Sequence, residues 1–442
     1  MRFNFSTCRL ALTVFAVIYL FFTNTALSQN EYNQLVLQDG YFWNFNNIPM
    51  TLTKGFPQIY SNFLSSVCDN NGNLMFYSCS QENLFLVYDK NNEVIFQKEE
   101  NKSEWSIMYA LKSPNEENLY YIIASIHHNY SHDTLICIRI AVDDFGKYNI
   151  TSNTFETHGI WSFLTPYIYS GEIFVICQNA PDGINIFKID NNNFVLVNSY
   201  SSSDMSFDYS YFTKIKFNND CSKLISNQMI LDYDITNHKI TGHKVLSEEL
   251  SSFELSENGY YLYFSTVNGR SLLRCKTSDA DNIDKLKEFD TIASDVVFDD
   301  MILCKDENIY MMQFSKNDIS VLKNSNSEDC EYFYQAVDYK ALKNRGYLRF
   351  PLVVRTYFSF ECNASCQETS FEYHGYPAAA FEWDFGVGTP KVTQKNPIHA
   401  YKKNGKYLVT LKVSLTDNSI RTIKKEIEIK NILNNLIIER VD

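Results

Sequence analysis

Residues that break or sharply turn a chain are scarce: the 442 residues hold only 15 Gly and 9 Pro. A collagen-like repeat, with Gly at every third position, is excluded. Charge is sparse as well, at 21%, and 39 Lys and Arg stand against 52 Asp and Glu for a net −13. An acidic surface repels phosphate, which excludes a general nucleic-acid binder. No C-x-x-C pair occurs, so a structural zinc site has no support. There is no G-x-S-x-G elbow, no phosphate loop and no H-E-x-x-H, and no cofactor is expected. Beyond the first 28 residues no apolar run approaches the ~20 residues of a spanning helix. Aromatics, by contrast, are abundant, with 33 Phe and 30 Tyr. Such a chain folds, because disordered chains are poor in them.

Residues 1–28 read as a signal peptide, with an uncleaved membrane anchor as the alternative, although the apolar run falls short of the ~20 residues a span needs. Arg2 and Arg9 make a basic start, Leu10 to Phe22 is nearly all apolar, and Ala26-Leu27-Ser28 offers small residues for cleavage near Gln29. Cys8 precedes the apolar run and so cannot be a lipoprotein cysteine. An exported protein with no membrane span after signal removal is expected, placed extracellularly, at the cell surface or in the periplasm.

The body of the chain reads as β. Short runs of Tyr, Phe, Ile, Val and Leu alternate with Asn, Asp, Gly and Ser turns. The runs fall into groups beginning near Leu64, Met108, Phe163, Ile215, Phe253 and Val296. Each group repeats strand, polar turn, strand, then a second strand pair. Four strands in roughly 40–50 residues, repeated, is the pattern of a β-propeller blade. Tyr32 to Thr53 and Tyr332 to Tyr347 are left at the two ends, and strands from both termini sharing one blade would close the ring. Seven blades are expected over residues 29–350, with six as the alternative. A pair of sandwiches or an irregular solenoid is the competing architecture. Ile283 to Phe289 is the one short helix candidate before residue 330.

Of ten cysteines beyond Cys8, most sit singly in apolar runs, as small buried hydrophobes do. A hairpin centred on Asn71-Gly72 puts Cys68 opposite about Met75 and Cys79 opposite about Leu64, so those two do not pair. Cys362 and Cys366 are the best disulfide candidates.

Several motifs resemble a known group. Tyr41-Phe42-Trp43-Asn44-Phe45, Asp69-Asn70-Asn71-Gly72-Asn73-Leu74-Met75-Phe76-Tyr77 and Gly346-Tyr347-Leu348-Arg349-Phe350 resemble signatures of large secreted Bacteroidetes proteins with an N-terminal propeller. Residues 351–430 are similar to a PKD-type, immunoglobulin-like β-sandwich, through Trp383-Asp384-Phe385-Gly386, His399, Tyr401, Gly405 and Tyr407. The resemblance implies association with type IX secretion. The tail, residues 431–442, is too short for the sorting domain that usually follows. The period of the residues agrees independently. Tyr407, Val409, Leu411 and Val413 alternate with polar neighbours, and Phe381, Trp383 and Phe385 do the same, which puts Trp383 in a core. Val387 stands where the family pattern has Asp, so Asp384 reads as a turn cap rather than a cation ligand.

Candidate chemistry is thin. His127, His128, His132 and Asp133 lie within seven residues and suit a transition metal, against the plainer reading of a polar hairpin tip. Ser199 to Tyr211 is a Ser/Tyr/Asp connection, in which Tyr200, Tyr209 and Tyr211 are candidates for stacking on a ligand, against packing on the next blade. Trp105 and Trp161 read as core or blade-edge residues. The function expected is a non-catalytic secreted or envelope binding or adhesion protein. Its propeller loops would recognise a polysaccharide or surface protein, and the PKD-like module would be a spacer or adhesion unit. The alternative is a polysaccharide hydrolase or lyase with carboxylates at the propeller centre.

Overall fold

The computed structural model describes residues 34–36, 41–45, 51–54, 64–81, 84–99, 106–128, 132–157, 160–180, 183–201, 214–218, 221–246, 249–267, 269–277, 279–280, 289–304, 306–313, 318–338, 355–364, 368–374, 378–415 and 420–430. All its regular elements are strands apart from single turns. The first sheet has three strands, β1 (Gln34–Val36), β2 (Tyr41–Asn44) and β3 (Thr51–Lys54). Six antiparallel four-stranded meanders follow. They are β4 (Leu64–Cys68), β5 (Leu74–Gln81), β6 (Leu84–Asp89) and β7 (Val94–Glu99); β8 (Ser106–Lys112), β9 (Leu119–His128), β10 (His132–Val142) and β11 (Tyr148–Thr157); and β12 (Ile160–Tyr169), β13 (Glu172–Ala180), β14 (Gly183–Asp190) and β15 (Asn193–Tyr200). Then come β16 (Ile215–Phe217), β17 (Lys223–Ser226), β18 (Met229–Asp234) and β19 (Lys239–Val245); β20 (Leu250–Leu255), β21 (Tyr261–Thr266), β22 (Ser271–Lys276) and β23 (Asp290–Ser294); and β24 (Asp300–Leu303), β25 (Ile309–Gln313), β26 (Asp318–Lys323) and β27 (Glu331–Asp338). A short strand, β28 (Arg355–Tyr357), leads to two further three-stranded sheets. These are β29 (Ser359–Ala364) with β30 (Thr369–His374) and β32 (Ile398–His399), and β31 (Ala378–Asp384) with β33 (Gly405–Leu415) and β34 (Ile420–Ile429).

The meanders coincide with the six strand groups of the sequence, and burial orients them. First strands such as β4 and β20 are almost wholly buried, while fourth strands such as β7 and β15 are mostly exposed. First strands of neighbouring sheets lie side by side, β4 with β8 and β20 with β24. Sheets set with their first strands inward around an axis form a β-propeller. The core lies between the sheets. Val67 and Phe76 of one meander meet Met108, Ala110 and Ile122 of the next, and Ile123 and Cys137 meet Leu164 and Ile176 in the same way.

The end of the ring differs from expectation. Tyr332 lies in β27, which pairs with β26 and completes the last meander, Leu322 opposite Tyr332. It adds no strand to the N-terminal sheet among the described residues. A short turn, 324–330, makes pairing with β26 far less costly in chain entropy than a reach to the other terminus. The N-terminal sheet instead meets both neighbours. β1 lies beside β4, and Trp43, fully buried, has its ring 5.1 Å from that of Tyr310 in β25.

Turn chemistry sets the hairpins. Asp69 Oδ1 accepts the N–H groups of Asn71 and Asn73, both at 2.9 Å. Asp89 Oδ1 does the same for Asn91 and Glu93, and Asp143 Oδ1 for Phe145 and Lys147. Such Asx turns let a carboxylate satisfy donors that no ladder reaches. Gly72 at φ 80° supplies the left-handed residue of the first turn. In that hairpin Cys79 faces Leu64, as its turn implied. Cys68 faces Leu74 rather than Met75, because a bulge between Val67 and Cys68 shifts the register by one.

The C-terminal sheets close on each other as a sandwich. Phe360, Phe371 and Tyr373 of one sheet pack on Trp383, Val409, Leu411 and Val413 of the other. Signal, tail, Trp105, residues 281–288 and Cys366 lie outside the described residues, as does the side chain of Trp161.

Candidate functional site

In every meander the turns from first to second and from third to fourth strand lie at one end of the propeller. The turns from second to third strand, and the links to the next sheet, lie at the other. The His-rich tip joins β9 to β10, and the Ser/Tyr/Asp connection joins β15 to β16. Both belong to the second end. The C-terminal module touches the first end. Cys221, in the β16–β17 turn, has Sγ 3.7 Å from the carbonyl oxygen of Phe358, and Lys424 Nζ stands 5.8 Å over the ring of Tyr260, in the β20–β21 turn.

Register fixes the strand partners within the histidine cluster. His132 is paired with His128, and Asp133 with His127. The side chains of these four residues lie outside the described ones. The tip itself, 129–131, is outside them.

Tyr200 ends β15 and is half-buried. Its hydroxyl accepts the N–H of Ile240 at 2.9 Å, tying this sheet to β19, and burial raises its pKa. Tyr209 and Tyr211 lie outside the described residues.

The sandwich residues form one stack. Trp383 is fully buried and its Nε1 donates to the Gln394 carbonyl at 2.9 Å. Asp384 Oδ1 accepts the Gly386 N–H at 2.9 Å. Gly386 sits at φ 74°, and a Cβ there would come 2.6 Å from the Leu408 carbonyl oxygen. Phe385 stacks on His399 at 4.2 Å, and burial lowers the pKa of that imidazole. Tyr401 donates to the Phe385 carbonyl at 3.2 Å, and Tyr407, two residues after Gly405, to that of Lys403 at 2.7 Å.

A polar ladder on the inner strands was not singled out from the sequence. Lys216 pairs with Glu254, whose carboxylate is fully buried and also accepts the N–H groups of Leu303 and Leu255 at 3.0 and 2.9 Å. One step toward the second end, Lys214 reaches Asp300 at 3.3 Å and the Met301 carbonyl. Three consecutive sheets are thus joined by charge at the axis. The visible signal was Lys214-Ile215-Lys216-Phe217, a strand whose alternate positions are charged, and Glu254 inside an apolar run. Neither the spacing nor the run says which lysine meets which carboxylate.

Two further titratable groups depart from ordinary behaviour. His238 accepts or shares a proton with Tyr167 at 2.9 Å and stacks on Phe174 at 3.7 Å; burial pushes its pKa down to about 4. This joins two neighbouring sheets rather than lining a cleft. Glu307, in the β24–β25 turn, is pushed up to about 7 by burial and by Glu257 and Asp306. A carboxyl raised in the folded state favours the protonated fold. Stability is therefore highest below the ordinary range near 4.5 and is lost as pH rises through about 7. Because Glu307 is part-exposed and screened, Glu307→Gln should gain about 1–2 kcal/mol at pH 8 and nothing at pH 4. Urea melts at the two pH values check this; equal gains at both would show that charge is not the cause.

Residues 361–430 match the PKD domain family. Over that region the chain is similar to the PKD1 domain of the Vibrio cholerae metalloprotease PrtV, at 25% identity, covering 16% of this chain and 94% of that one, with a TM-score of 0.16. Over the ring it is similar to a functionally unknown protein from Desulfotomaculum acetoxidans, at 11% identity, covering 72% and 98%, with a TM-score of 0.44. The β-propeller domain of Myceliophteria thermophila Cps50 (Swd1) matches at 9% identity, covering 66% and 94%, with a TM-score of 0.39. The propeller assignment rests on the meanders and their burial. Among the described residues no helix is long and apolar enough to cross a membrane.

Proposed function

We propose that the chain is an exported binding protein that captures a neutral polysaccharide or a surface protein at the second end of its propeller. The observation that carries this reading is the shared position of the β9–β10 tip and the β15–β16 connection, at the end away from the module. Loops on a rigid scaffold are where recognition usually sits. Charge narrows the partner. Residues 29–350 hold 25 Lys and Arg against 42 Asp and Glu, a net of −17, so polyanions are repelled. A hydrolase or lyase would need carboxylates free for acid–base work. The inner-strand carboxylates Glu254 and Asp300 each hold a lysine instead, which favours binding over catalysis. The basic, apolar start of the chain supports export, and the type IX resemblance makes the cell surface the first place to look by fractionation.

The test is a glycan array and a pull-down of envelope proteins with the full mature chain and with a chain whose residues 202–211 are replaced by Gly and Ser. Capture by the first and its loss in the second is the expected result. Equal capture by both would move the site elsewhere. Release of reducing sugar from a polysaccharide would favour the hydrolase.

A further inference from the structure

We infer that the C-terminal module is fixed on the first end of the propeller, with β28 added to the inside of the β12–β15 sheet. The strand order of that sheet is β15-β14-β13-β12-β28. β12 is a first strand, and β28 lies on its side away from β13, which is the axial side. The pairing is parallel, Tyr167 with Arg355, Ile168 with Thr356 and Tyr169 with Tyr357. These are the last three residues of β12, so β28 sits at the first end. Pairing begins directly after Pro166, which has no N–H to offer a neighbour. An inner strand of a propeller has an unpaired edge, and here the chain's own leader to the module covers part of it.

Contacts on two further sheets hold the module beyond that strand. The Phe358 carbonyl faces the buried Cys221 thiol of the β16–β17 turn. The Tyr260 ring of the β20–β21 turn is near two ammonium groups, Lys276 Nζ of the propeller at 5.7 Å and Lys424 Nζ of the module at 5.8 Å. Phe358 and Tyr373 of the module and Tyr169 of the propeller are all buried, at 7, 6 and 5% exposure. Tyr169 also helps to raise the pKa of Tyr373, after burial itself. Three attachments on three consecutive sheets define an orientation, where one would leave a hinge. The module is therefore not a swinging spacer, and this holds whatever the ligand proves to be.

The test uses the full mature chain. Hydrogen exchange reads the ladder and small-angle scattering reads the shape. The expected wild-type result is slow exchange in 355–357, comparable to β29–β30, and scattering that fits one docked particle. Thr356→Pro removes one N–H from a three-residue strand and should speed exchange at 355–357 and at 167–169 by at least tenfold. It should also enlarge the radius of gyration, while β13–β15 and β31–β34 keep their protection. Lys424→Ala, at a side chain that belongs to neither core, should broaden the particle without touching the ladder. Unprotected amides at 355–357 in the wild type, or wild-type scattering fitted only by a range of module positions, would overturn the inference.

Discussion

Trp383→Ala should unfold the C-terminal sandwich while leaving the propeller folded. The indole is fully buried, with its ring 5.2 Å from Phe360 and 5.5 Å from Phe371, and stacked on Phe385 at 6.3 Å. Its Nε1 also serves the Gln394 carbonyl, which holds the 390s segment against β31. Truncation removes the packing and opens a cavity between two three-stranded sheets too small to collapse around it. The cost for such a residue is about 3–5 kcal/mol, a large share of the stability of a domain this size. Hydrogen exchange during a urea titration separates the two bodies. β31–β34 should lose protection at lower urea than in the wild type, with β8–β15 unchanged. Unaltered protection in β33 would show that the indole is not the keystone of that core.

Lys216→Met should be the most damaging single change in the propeller. Glu254 is fully buried, and two of its donors are backbone N–H groups that cannot leave. Removing the lysine leaves a charge in the interior without its counter-ion, which costs about 3–5 kcal/mol for a buried pair. Lys216→Met combined with Glu254→Gln removes both charges, and the amide oxygen still accepts from Leu303 while the Leu255 N–H loses its acceptor. The double variant should therefore recover most of the loss. A thermal melt of the two variants checks the claim. If the double variant were no better than the single, the penalty would come from packing of the lysine stem and not from an unpaired carboxylate.

The meanders were legible because their causes are local. Apolar and polar residues alternate along strands such as β30, and at several turns an Asp meets N–H groups two to four residues away, as Asp69 and Asp143 do. The sandwich core was legible for the same reason: Trp383, Val409 and Leu411 occupy one parity of their strands and all face inward. Strand partners near the His-rich tip, His128 with His132 and His127 with Asp133, became visible only with the register.

By itself the sequence determined an all-β chain, six strand groups in order, a separate aromatic sandwich at the C-terminus and an acidic surface. Tertiary structure alone decided that β27 completes the last meander, that β28 joins β12, and that Lys216 meets Glu254 while Lys214 meets Asp300. These pairings link residues 38 and 86 positions apart across the axis, and β12 with β28 across most of the second half of the chain. Local pattern sets which way a side chain faces along its own strand. Which strand stands opposite is set only when the ring closes, because the sheets must share one axis and each inner edge finds its neighbour there.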